Sequence, residues 1–263
     1  MFFETVGVPR IDLNRSQHGL CPPPGRESTS VGGRGEANVS LLRYYPAMVM
    51  PIDLRAPFLV FANTLNVTCW HNLRFTKSIV SAGHVAAVED PKFLDAYLNG
   101  TANYAPLVPN NARSSAFLSQ FTVNVQSLYE VEYDAEYLRS QEFPLLPSRF
   151  SAVYAFGSDE DCLRAHERYN WPLSELRRFR LVPHPLNRLH RANMEVVSLM
   201  RSVYPKASWN REQRDAIWRH YWSGGGSLAI EIPAIRDDTP GRQSIASGEI
   251  WEYLIEGRLA LLD

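Results

Sequence analysis

Phe150, Ala152, Tyr154 and Phe156 alternate with Ser151, Val153 and Ala155, which predicts a largely buried strand ended by Gly157. Ser158 with Asp161 three residues on forms a capping box. Asp159, Glu160 and Asp161 suit the positive end of a helix dipole, so a helix over 159–169 follows, with Cys162, Ala165 (or His166) and Tyr169 as its inner stripe. The polar triplet Pro147-Ser148-Arg149 stands at the mouth of this strand. Upstream, Asp90-Pro91 opens a second helix with Phe93, Leu94, Tyr97 and Leu98 on one face, and Asn99-Gly100 ends it. Further strands are predicted at Phe58–Ala62, Val67–His71, Phe121–Val125, Phe179–Val182, Leu228–Ile232 and Ile250–Ile255, with Glu256-Gly257 turning the last back on Arg258–Leu262. Met194, Val197, Met200 and Val203 mark an amphipathic helix, and Asn210 with Gln213 caps another that carries Ile217, Trp218, His220, Tyr221 and Trp222. Tyr129–Glu142 reads as a surface helix or loop, 101–116 as a loop, and Gly224–Gly226 as a mobile linker. Short strands and helices without strict βαβ alternation predict the α+β class.

Composition and charge alter the picture further. Residues 1 to 40 are rich in Pro, Gly, Ser and Arg and read as a flexible leader, which leaves one domain over 41 to 263, beginning at Leu41-Leu42-Arg43-Tyr44-Tyr45. The formal net charge of -1 provides no global basic field for nucleic acid or an anionic membrane. The basic runs Leu176–Arg180 and Arg188–Arg191 read as solvated faces or helix-end charges. Cys21, Cys69 and Cys162 are odd in number and widely spaced, implying neither a zinc site nor a disulfide framework. With no secretory pattern at Met1–Thr5 and no apolar run long enough to span a bilayer, the expectation is a cytoplasmic protein without a membrane partner.

Phosphate loops, HExxH, GxSxG and GxGxxG after a strand are all absent from the sequence. A Cys69/His71 nucleophile pair has no supporting motif. His220 reads as a core or capping histidine. Glu252 is the unusual residue: on a strand it shares a face with Ile250 and Leu254, and an inward carboxylate there requires a partner or a cleft, whereas on an edge strand the glutamate would reach water or pair with an arginine. Glu249 and Glu256 sit at turn-like positions and are expected to be solvated.

Three stretches together resemble the ADP-ribosyltransferase fold: a first strand with a basic and an aromatic residue (Leu42-Arg43-Tyr44-Tyr45), a serine- and aromatic-bearing strand running into a helix (Pro147–Tyr169), and a strand with a lone glutamate (Trp251-Glu252-Tyr253-Leu254). Residues 143–262 resemble more narrowly a set of uncharacterised bacterial proteins of that class, through Pro147-Ser148-Arg149, Tyr221-Trp222 and Glu252–Gly257. The resemblance implies a single domain of split, small antiparallel or mixed sheets with packed helices. It also implies a mono-ADP-ribosyltransferase, a transferase of the glycosyltransferase class, with NAD as substrate, no metal, and a protein or nucleic-acid acceptor. Such proteins serve as bacterial toxins or effectors, which adds translocation into a target cell to the cytoplasmic expectation. Glu252 would stabilise the oxocarbenium-like ribose and Arg43 would hold ribose or phosphate. Ser148 or Ser151 would brace the glutamate, Tyr154 or Tyr44 with Tyr45 would stack on nicotinamide, and Arg149 would contact the pyrophosphate. The Ser-Thr-Ser triplet of the family is missing, strand alternation puts Ser148 and Ser151 on opposite faces, and the spacing of Glu249 and Glu252 does not support arginine as acceptor. The alternatives are a non-catalytic α+β binding or structural module and, third, a hydrolase built on Cys69 or a histidine.

Overall fold

A computed structural model describes residues 42–44, 55–63, 65–105, 120–204, 209–236 and 239–262. Tyr45, residues 1–40, expected as a leader, and most of 101–116, expected as a loop, lie outside them. The class is α+β. Seven strands form one sheet in which every pairing is antiparallel. In spatial order they are β3 (Ser78–Val80), β10 (Arg258–Leu261), β5 (Leu176–Leu181), β2 (Phe58–Phe61), β4 (Val153–Phe156), β9 (Trp251–Glu256) and β6 (Arg188–Asn193). A second sheet joins β1 (Leu42–Tyr44), β7 (Leu228–Arg236) and β8 (Thr239–Ala246), again antiparallel.

The face of the large sheet that carries Leu254 is covered by α4 (Gln120–Glu142), α6 (Met194–Val203) and α7 (Arg211–Trp222). Val131, Met200, Trp218 and Trp222 pack there with Leu254. On the same face, α5 (Asp159–Tyr169) covers Leu59 and Phe156 with Cys162 and Ala165. Phe58, Val60, Phe179, Ile255 and Leu259 form a separate cluster on the opposite face.

Helix caps fall at the predicted residues, but the Ser158/Asp161 pair is a single cap and not a capping box: Asp161 Oδ1 accepts from the Trp251 amide at 3.1 Å and its Oδ2 from the Ser158 hydroxyl at 2.7 Å. Asp90 caps α3 (Pro91–Leu98), Ser158 caps α5, and Asn210 with Gln213 forms the capping box of α7. Two predicted strands are helices instead. Val67–His71 is α1, because Asn66 is an N-cap whose side chain accepts from the Cys69 amide at 2.9 Å. Phe121–Val125 lies inside α4, whose buried Val131, Ala135 and Leu138 recur at helical spacing; a short apolar alternation fits either period, and the longer stripe decides it. Tyr129–Glu142 is therefore a core helix. The Arg188–Arg191 run is strand β6, with the Arg191 guanidinium 4.0 Å from the Trp251 ring centroid. Neither α2 (Ala82–Glu89) nor β8 was signalled by the pattern.

The triglycine loop is packed, not a free linker. Gly226 is buried, and its carbonyl accepts from His220 Nε2 at 3.0 Å and from Asn193 Nδ2 at 3.2 Å. A Cβ on Gly225 would fall into the His220 imidazole. Gly225→Ala is accordingly expected to destabilise the fold by about 1–3 kcal/mol, measured as a lowered urea midpoint with an unchanged slope.

Candidate functional site

Strand β9 is interior, flanked by β4 and β6, with Glu252 opposite Phe156 on one side and Ala192 on the other. Side chains alternate along a strand, so Glu252, Leu254 and Glu256 share a face, with the Cα atoms of the two glutamates roughly 13 Å apart. Glu252 is 4% exposed and Glu256 fully buried. Solvation of Glu256, expected from its turn-like position, is thus corrected: β9 runs through residue 256 and Gly257 alone makes the turn.

Each carboxylate is met by the Pro-Ser-Arg stretch, which is a turn and not the start of the strand. The Ser151 and Ala152 amides both donate back to the Ser148 carbonyl, at 3.2 and 2.9 Å. This fold-back removes the strand alternation and puts both serines on one carboxylate. The Ser148 amide donates to Glu256 Oε1 at 3.2 Å, and the Ser151 hydroxyl donates to the same oxygen. Gly83 lies against them: a Cβ there would sit 2.8 Å from Glu256 Oε1. The Ser148 hydroxyl donates to Glu136 Oε2 at 2.8 Å, and Glu136 is paired in turn with Arg139 at 2.7 Å. The serines therefore serve Glu256, not Glu252.

Arg149 serves Glu252. Its Nη1 lies 2.6 Å from Glu252 Oε1 and also donates to the Tyr221 hydroxyl at 2.6 Å, while Tyr221 donates to the same Glu252 oxygen at 3.0 Å. Arg149 Nε donates to Glu132 Oε2 at 2.8 Å, and Arg201 binds the other oxygen of Glu132 at 2.6 Å. The guanidinium carbon is 5.1 Å from the Tyr154 ring centroid and 5.5 Å from that of Tyr221. Tyr154 donates through its hydroxyl to the Arg149 carbonyl at 2.6 Å and keeps 37% of its surface exposed. With its nitrogens committed to two carboxylates, Arg149 does a different job from the pyrophosphate contact the resemblance implies.

Burial alone would push the Arg149 guanidinium down, but Glu132, the two tyrosines and Glu252 more than offset it and hold it well above the usual arginine value. Burial likewise works against the Glu132 carboxylate, yet Arg149 and Arg201 together bring it down to about 2. Beside Tyr221 and Trp222, burial lowers His190 to about 4. These shifts set two acid windows. His190 binds a proton more readily when unfolded, so its stabilisation is complete above its ordinary value of 6.5 and is lost as pH falls from 6.5 through 4. Glu132 stabilises above its ordinary value of 4.5 and loses that as pH falls toward 2. Each window is worth roughly 3 kcal/mol. Urea melts from neutral to acid pH are expected to flatten in the upper window for His190→Gln and in the lower one for Glu132→Gln.

Of the residues singled out in the sequence, the structure brings Glu252, Arg149 and Tyr154 together, with Ser148 and Ser151 gathered at Glu256. Arg43 and Tyr44 lie on β1, opposite Ala229 and Leu228 of the three-stranded sheet, and their side chains are outside the described residues. Glu132 and Tyr221 were missed as site residues. Tyr221 was visible as part of the Tyr-Trp helix end; Glu132 carried no signal, because only the packing of α4 brings it to Arg149. No metal-binding group of three or more His, Cys, Asp or Glu occurs among the described residues, and no helix there is long and apolar enough to cross a membrane. No protein-family model matches the chain, and no curated protein matches it either.

Proposed function

We propose that the chain is an NAD-dependent mono-ADP-ribosyltransferase whose reaction is carried by Glu252, with a protein or nucleic acid as acceptor. The observation that supports this reading is a carboxylate on an interior strand, oriented by the Arg149 guanidinium and the Tyr221 hydroxyl and bordered by the part-exposed ring of Tyr154. The bond from C1′ of the ribose to nicotinamide breaks, and its electron pair leaves with nicotinamide. The ribose becomes oxocarbenium-like, and a nearby carboxylate stabilises it. The acceptor nucleophile then bonds to C1′ and loses its proton. Arg149 and Tyr221 both engage Oε1 of Glu252; Oε2 takes a ribose hydroxyl in this reading. Arg149 is then a positioning residue and Tyr154 the ring available to nicotinamide. The roles of Arg43 and Tyr44 rest on the resemblance alone, and β1 belongs to the other sheet.

One observation favours the second reading, a non-catalytic α+β module. The Glu252 side chain is 5% exposed, and its bonds to Arg149 and Tyr221 tie α4 and α7 to the sheet. Nicotinamide release from NAD by the purified protein separates the two. Release that is lost in Glu252→Gln supports the transferase; no release with any acceptor supports the module.

A further inference from the structure

A short element stands out from the sheet between β2 and β3. It consists of α1 and a five-residue π-helix, Asn72–Thr76, which ends at Lys77 in the left-handed region with φ 50°. None of its residues from Val67 to Thr76 is buried. Leu65 is 88% exposed, Val67 78%, Phe75 61% and Trp70 41%, four large apolar side chains within eleven positions. The Arg74 guanidinium carbon lies 5.2 Å from the Trp70 ring centroid and 5.7 Å from that of Phe75. Leu73 anchors the element on the cluster of Phe58, Val60 and Ile255, which is the sheet face opposite Glu252. The knob therefore lies away from the candidate site and is independent of the reading given to it.

Along this stretch of the chain the charge is one-sided too. No Asp or Glu occurs between Asp53 and Glu89, whereas Arg55, Arg74 and Lys77 fall within that interval. We propose that this knob is a peripheral docking surface for an anionic lipid bilayer. Trp70 and Phe75 lie at the headgroup boundary, Leu65 and Val67 enter the acyl region, and Arg74 and Lys77 meet lipid phosphates and carboxylates. Single-stranded nucleic acid is the other polyanion to weigh. It would use the rings and cations, but so few basic side chains give weak phosphate binding, and Leu65 and Val67, the most exposed of the set, have no part to play on a base. A bilayer accounts for all six side chains. The net charge of -1 averages this region away, which is why composition pointed to no membrane partner.

Co-sedimentation of the full chain with vesicles tests the proposal, using phosphatidylcholine alone, phosphatidylcholine doped with phosphatidylserine, and an oligo-deoxythymidine in a parallel titration. Binding is expected to the doped vesicles at low salt and to weaken as salt rises. The double variant Trp70→Ala/Phe75→Ala is expected to reduce partitioning at least about tenfold. Arg74→Glu/Lys77→Glu should abolish the preference for phosphatidylserine. Leu65→Ser/Val67→Ser, distant from Arg74 in sequence, should weaken vesicle binding while leaving the melting temperature unchanged. Absence of vesicle binding by the unaltered chain, equal binding by all variants, or oligonucleotide binding without vesicle binding would each overturn it.

Discussion

Arg149→Met is expected to lower stability by about 3–5 kcal/mol, because it leaves a buried carboxylate without its charged partner. For a chain of this length that corresponds to a melting temperature roughly 10 °C lower. Glu132 keeps Arg201, so the orphaned group is chiefly Glu252, 4% exposed between β4 and β6 and left with the Tyr221 hydroxyl alone. The cause is testable by a cycle. If the cost is the stranded charge, adding Glu252→Leu to Arg149→Met restores part of the loss, and the pair couples by more than about 1 kcal/mol. Additive losses would mean that Arg149 acts through its packing between the Tyr154 and Tyr221 rings instead.

The second large effect is on chemistry. Glu252→Gln is expected to reduce the rate of nicotinamide release from NAD at least about 100-fold, the size of effect seen when one group aimed at developing charge is removed. The amide oxygen of glutamine can still accept from Arg149 Nη1 and from Tyr221, so the melting temperature should move far less than in Arg149→Met. A loss in kcat with little change in KM marks a group that acts on the transition state. Glu256→Gln is the control: that carboxylate is fully buried beneath Ser148, Ser151 and Gly83, and its substitution should cost stability without a comparable loss of turnover in the protein that remains folded.

Legibility in the sequence followed the range of the interactions involved. Caps were readable because they are local: Asp90, Ser158 and Asn210 each bond an amide within three residues. The face that Glu252 shares with Ile250 and Leu254 was readable, but that pattern fits an exposed edge strand as well, and the pairing of β9 with both β4 and β6 decides for the interior. Adjacency was not readable. That β4 pairs with β9, and that β1 joins β7 in another sheet, depends on pairings nearly a hundred residues or more apart. Periodicity misled where a stretch was too short to separate two periods, as at Val67–His71 and Phe121–Val125. It misled again at Ser148 and Ser151, where strand alternation was carried across a turn; the turn lets both reach Glu256. The identity of the partner of Glu252 was within reach, since Arg149 had already been singled out, but its role changed from ligand contact to carboxylate partner once α4 brought Glu132 to its other side.

A co-crystal structure of the Glu252→Gln variant with NAD tests the central claim most directly, because it locates the ribose and not only its consumption. The account predicts a nicotinamide-ribose hydroxyl within roughly 3 Å of the residue 252 side chain, with the nicotinamide ring against Tyr154. NAD bound elsewhere on the chain, or residue 252 still sealed between Arg149 and Tyr221 with no nucleotide beside it, would contradict that prediction and leave Glu252 as the tie between α4, α7 and the sheet.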